Sequence, residues 1–175
     1  MTLGFGPAAL FMYDEIMLSR SLSPGARSVT RVDLRRAQRL LLALLGVAIA
    51  VSIVHYADNY LAYDRYPQSD TLPDPSATTV LVSWFVFTAA GVTGAWLFTR
   101  ERIIPACVAL GIYSGSGLVG VGHYAVGGTS SLAWWRHVHI VTDIACGVAL
   151  LAFALWAATR FRDMPPEPTT PRSGF

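Results

Sequence analysis

The sequence predicts an all-α, membrane-spanning four-helix bundle with both termini in the cytoplasm, and three observations carry that expectation. Of 175 residues, 53% are hydrophobic and only 14% charged, with a mean hydropathy of +0.46, too apolar for an ordinary soluble domain. Four apolar runs each reach the roughly 20 residues that a helix rising 1.5 Å per residue needs to cross the hydrocarbon core. The 13 basic residues are all arginine, and all but Arg65 and Arg136 sit at what would be the inner ends of those runs.

Helix one is expected at about 40–60, preceded by Arg20, Arg27, Arg31, Arg35, Arg36 and Arg39, which hold that end inside. Ser52, His55, Asp58 and Asn59 recur at three- and four-residue spacing and form one polar stripe at its outer end. The following loop carries Asp64, Asp70 and Asp74 and is broken by Pro67, Pro73 and Pro75, so it reads as an outside connection. Tyr56, Tyr60, Tyr63 and Tyr66 fit an aromatic belt at headgroup level. Helix two, about 78–99, returns the chain to the turn Arg100-Glu101-Arg102.

Helix three, about 103–126, holds Gly111, Gly115, Gly117, Gly120 and Gly122, a density that lets backbones approach closely in lipid, with Gly111 and Gly115 in G-x-x-x-G register. Its stripe of Tyr113, Ser116, Gly120 and His123 leads outward. Helix four, about 134–161, enters at Trp134 and Trp135 and leaves at Arg160 and Arg162. The chain thus divides into an arginine-rich cytoplasmic tail (1–36), the four-helix domain (37–162) and a proline-rich cytoplasmic tail (163–175). The first residues lack the order of a cleaved signal peptide, and Met12 and Met17 are alternative starts.

Other chemistries lack their motifs. There is no phosphate-cradling G-x-x-x-x-G-K-[ST], and the glycines at 115–120 lie in a membrane helix rather than after a strand. Cys107 and Cys146 belong to no ligand spacing and read as small apolar fillers. Arginines clustered at helix ends report topology, not nucleic acid.

Topology gives each polar residue a depth, and His55, His123 and His139 fall in the outer third, with Asp143 one turn deeper than His139 and Asp58 one turn further out than His55. On helix four, His139 and Asp143 share a face while His137 points away. An isolated aspartate at that depth costs several kcal/mol, so the helices are expected to turn these groups together.

His55, His123, His139 and Asp143 are the candidate ligands for zinc, copper or iron, supported by Asp58 and Asn59. One outer haem held by two of the histidines is a variant of that reading. His139 and Asp143 are the candidate catalytic pair of an intramembrane acid–base enzyme acting on a lipid or sterol-like substrate. Two further readings stand beside these: a polar network that glues the bundle, and an accessory subunit of a larger membrane complex or a homo-oligomer. A partner would dock on the helix-two face of Ser83, Phe87, Gly91 and Gly94.

In gross plan, His55 and Asp58 at the outer end of helix one, followed by Tyr66-Pro67 in an aromatic loop, resemble the small four-helix sterol-binding and sterol-isomerising membrane proteins of the EXPERA type. The acidic residues which that family uses in later helices have no counterpart in helices two and three. The resemblance therefore implies an architecture rather than an activity.

Overall fold

The computed structural model describes residues 29–69 and 74–164. Expectations for the leader up to residue 28, for Asp70 and Pro73, and for the tail beyond residue 164 lie outside them. Four long helices dominate: α1 (Arg31–Leu61), α2 (Ala77–Thr99), α3 (Ile103–Leu118) and α5 (Trp134–Phe161). The short α4 (Gly122–Ala125) extends α3 after a 3₁₀ turn at Val119–Val121. No strand occurs among the described residues. Counting α3 and α4 as one, each helix is long and apolar enough to cross a membrane.

Helix α1 begins at Arg31 rather than near Leu40 because Thr30 and Asp33 form a capping box. Asp33 N–H donates to Thr30 Oγ1 at 3.2 Å and Thr30 N–H to Asp33 Oδ2 at 3.1 Å. Ser76 caps α2 in the same way, accepting from Thr79 N–H at 3.2 Å. At the arginine end, Arg31 bonds Glu101 across to the α2–α3 turn. That turn is tight enough to hold Glu101 at φ 61.

The helices neighbour one another round a ring, α1–α2–α3–α5 and back to α1. The inward stripe of α1 runs Leu34, Ala37, Leu41, Leu45 and Ala48, then Ser52, His55 and Asn59. That of α5 runs Phe161, Ala157, Phe153, Leu150 and Gly147, then Asp143, His139 and Arg136. The bundle interior is therefore apolar at the arginine end, where Phe98, Leu110, Leu150 and Phe161 are sealed from solvent, and polar at the opposite end. Cys107 and Cys146 are free and pack on the apolar part.

Glycines set the closest helix contact, but not those of the expected G-x-x-x-G pair. A Cβ on Gly111 would meet nothing within 4 Å, and one on Gly115 would make only an ordinary 3.8 Å contact with Phe87. The close approach lies on the neighbouring face, where Gly117 and Gly147 meet across α3 and α5 and a Cβ on Gly117 would stand 2.4 Å from the Asp143 carbonyl oxygen. Gly91 and Gly94, expected on a docking face of helix two, instead face inward against Tyr113 and Leu110. The exposed, outward side of α2 carries Val82, Phe85, Val86 and Trp96.

Candidate functional site

Four segments deliver polar groups to the histidine end: α1 brings His55 and Asp58, α4 brings His123, α5 brings Arg136, His139 and Asp143, and the loop after α1 brings Tyr66. The 3₁₀ turn at Val119–Val121 falls among Gly117, Gly120 and Gly122, whose low helix propensity lets α3 tighten there. Gly120 stands beside His55 and Ile144: a Cβ there would make an ordinary 3.5 Å contact with the imidazole and a tighter one of 3.1 Å with Ile144. Thr129 Oγ1 donates to the His123 and Val126 carbonyls and closes the end of α4, while Gly128 at φ 85 turns the chain toward α5.

The deeper half of the site is a chain of side chains, buried at Asp143 and His55 and half-buried at His123. Asp143 Oδ2 lies 2.7 Å from His55 Nδ1, and both side chains are only 3% exposed. The other nitrogen of His55, Nε2, faces His123 Nε2 at 3.4 Å. Tyr56 borders this pair and donates its hydroxyl to the Ser116 carbonyl at 3.2 Å. One turn below, Trp84 Nε1 donates to Ser52 Oγ at 3.1 Å, the last polar contact before the apolar core.

The outer half centres on Asp58. Its carboxylate accepts from Arg136 Nε at 2.9 Å, from Arg136 Nη2 at 3.3 Å and from the Tyr66 hydroxyl. Arg136 also lies over the rings of Tyr66 and Trp135, at 5.1 and 5.0 Å. Burial first, then the adjacent Asp58 carboxylate, pushes the Tyr66 phenol well above its ordinary range, so it remains a donor. Tyr66 in turn stacks on His123 at 5.1 Å. Two of the tyrosines expected in an aromatic belt, Tyr56 and Tyr66, are thus buried parts of the site, whereas Tyr60 stays exposed.

His139 sits between the halves, with its ring 5.3 Å from that of His55. Its Nε2 is 3.5 Å from Asp58 Oδ2, within ion-pair range but outside hydrogen-bond geometry, and neither ring nitrogen has a hydrogen-bond partner. An unsatisfied buried polar group costs about 1–3 kcal/mol. His137 lies apart on the exposed side, 3.1 Å from the Tyr124 hydroxyl. Asn59 is buried beside the site.

These positions bear on two expectations. His139 and Asp143 share a face of α5 but are not a pair: Asp143 reaches across to α1 and His55, and His139 leans outward toward Asp58. Nor do His55, His123, His139 and Asp143 form one ligand set. Among the described residues, no three His, Cys, Asp or Glu side chains form a group able to hold a metal ion, because Asp143 is taken up by the back of His55 while His139 stands off. Sequence reasoning missed Arg136 and Tyr66 as members of the site. Arg136 is three residues from His139, hence on the same helix face, and that spacing was the available signal.

No family model, curated protein or solved structure matches this chain. By its fold it is an all-α protein of four long apolar helices, compatible with a multi-pass membrane protein, with a buried His/Asp cluster at one end.

Proposed function

We propose that the chain spans the membrane with both termini cytoplasmic, and that its polar end is an intramembrane acid–base centre facing the extracytoplasmic side. The observation that carries this reading is the continuous series from buried Asp143 and His55 to half-buried His123, with contacts of 2.7 and 3.4 Å. A carboxylate bound to Nδ1 holds that N–H in place and leaves Nε2 as the basic nitrogen, which is the arrangement of an oriented general base. His123 then donates its Nε2–H to His55. A proton arriving at His123 Nδ1 lets the shared proton pass to His55, and the resulting imidazolium lies against the Asp143 carboxylate, which stabilises it. Asp143 thus orients the base, and His55 and His123 carry the proton. The 3% exposure of the central pair favours a proton over a bulky lipid as the species handled.

Imidazole ¹⁵N NMR of histidine-labelled protein in nanodiscs tests this directly. The ¹⁵N shifts of His55 and His123 are expected to move together as protons are added, because the two rings meet Nε2 to Nε2 at 3.4 Å. Asp143→Asn should uncouple them while the protein still melts cooperatively. Unchanged His55 resonances in Asp143→Asn would overturn the proposal. So would elemental analysis of protein purified without chelator that found near-stoichiometric zinc, copper or iron, lost in His55→Ala and His123→Ala but kept in His137→Ala; the centre would then be a metal site.

A further inference from the structure

The acid–base reading uses Asp143, His55 and His123 and leaves one buried titratable ring without a task. His139 is 8% exposed at its side chain, and neither of its nitrogens is hydrogen-bonded. Its surroundings explain why it is not locked. Asp58, the nearest carboxylate, already receives Arg136 and the Tyr66 hydroxyl, so Nε2 remains at 3.5 Å with no geometry left for a good bond. His55, the nearest imidazole, has Nδ1 engaged by Asp143 and Nε2 opposite His123. His139 alone among the three is held by ring contacts, to His55 at 5.3 Å and Trp135 at 5.5 Å, which permit rotation about the ring axis.

We propose that His139 is the mobile proton carrier linking the Asp58 end of the bundle to the Asp143–His55–His123 series, an inference that rests on the acid–base reading above. The charged and titratable groups facing it are Asp58 and His55 from α1, His123 from α4 and Arg136 from its own helix. Burial and the neighbouring His55 and Arg136 oppose an imidazolium at His139 while the facing Asp58 carboxylate favours one, so a proton loaded there is held only in passing. The step conserves its proton. One enters on the free Nε2 lone pair of neutral His139 from the Asp58 side, the imidazolium turns about its Cβ–Cγ bond and releases that same proton to the His55–His123 pair, and the neutral ring turns back with its Nδ1–H unchanged. No oxidant, metal or leaving group takes part. Tyr66, which spans from Asp58 to His123, closes the route to larger species.

A carrier changes the rate of proton arrival without changing where the proton finally rests. The test is a pH jump on the full chain in nanodiscs, following protonation of the Asp143–His55–His123 series by time-resolved infrared absorption, beside the equilibrium ¹⁵N titration. His139→Phe is expected to slow the protonation at least tenfold and to leave the equilibrium titration of His55 and His123 nearly in place. His139→Gln, which keeps polarity but holds no proton, should slow it equally and decides the matter if the phenylalanine variant fails to fold. His137→Phe should match the wild type. If both His139 variants protonate at the wild-type rate, or if they shift the equilibrium titration as much as Asp143→Asn does, the carrier role is wrong. If instead Asp143→Asn leaves His55 unchanged, the acid–base reading falls first and the carrier with it, so the two failures are told apart.

Discussion

Substituting Gly117 by alanine probes the contact on which the geometry of the site rests. The added Cβ would lie 2.4 Å from the carbonyl oxygen of Asp143 and 3.2 Å from both its carbonyl carbon and the Cα of Gly147. Real Cβ atoms essentially never approach closer than 3.0 Å, so α3 and α5 must part by at least 0.6 Å, the difference between those two values. The obstacle is backbone in a helix, which cannot rotate aside as a side chain would. Overpacking of this kind costs about 1–3 kcal/mol, and a backbone obstacle places it near the top of that range. Alanine recovers about 1 kcal/mol of helix propensity, leaving a net loss of about 2 kcal/mol, or roughly 4–8 °C in Tm for a chain of this size. Gly111→Ala, whose Cβ meets nothing, is the control and should melt at or above the wild-type temperature. The measurement is thermal unfolding in detergent of both variants, followed by circular dichroism. Equal melting temperatures for Gly117→Ala and Gly111→Ala would refute the close approach and, with it, the placement of Asp143 opposite His55.

Three more outcomes are expected. Arg136→Leu and Asp58→Asn each break a buried pair whose side chains are 7% and 14% exposed, and each should cost about 3 kcal/mol, with the double variant less damaged than the sum; strictly additive losses would show that the pair is not coupled. The raised Tyr66 phenol keeps its proton in the folded state when the unfolded chain loses it, so wild-type stability should fall as pH rises above about 10. Tyr66→Phe should flatten that fall, and identical alkaline slopes would contradict the assignment. In a background lacking Cys107 and Cys146, a cysteine at Ser69 should react with impermeant reagent from the extracytoplasmic side, and labelling from the cytoplasm alone would invert the proposed orientation.

The helices were legible because each apolar run is long and each is ended by arginine, proline or a capping residue. Periodicity also found the stripe of Ser52, His55 and Asn59, since residues three and four apart share a face whatever they pack against. What one helix cannot reveal is the rotation of its neighbour. The pairing of Asp143 with His55 rather than His139 depends on how α1 and α5 are turned about their axes, and Gly117 and Gly147, far apart in sequence, set that turn. Arg136 is an exception to the arginine bias that marks the inner ends, and nothing in its local sequence says that it turns inward rather than to the interface. Its burial beneath Tyr66 and Trp135 depends on a loop whose path local spacing does not encode.

The contrast between the two ends of the bundle bears on why the polar end persists. At the arginine end, Phe98, Leu110, Leu150 and Phe161 fill the interior with apolar volume, and nothing in the backbone changes abruptly along α1 or α5 that would require a different solution further on. Buried ion pairs are commonly no more stable than the apolar residues that could replace them, so Asp143 with His55 and Arg136 with Asp58 are poorly explained as devices for holding helices together. The unpaired His139 strengthens the point, because a network selected only to glue the bundle would satisfy its members and this one leaves two ring nitrogens without partners. A site that must gain and lose a proton has the opposite requirement: a group bonded equally well in every state would have nowhere to move. The incomplete bonding of His139, beside fully engaged His55 and Asp58, is the pattern such a site needs.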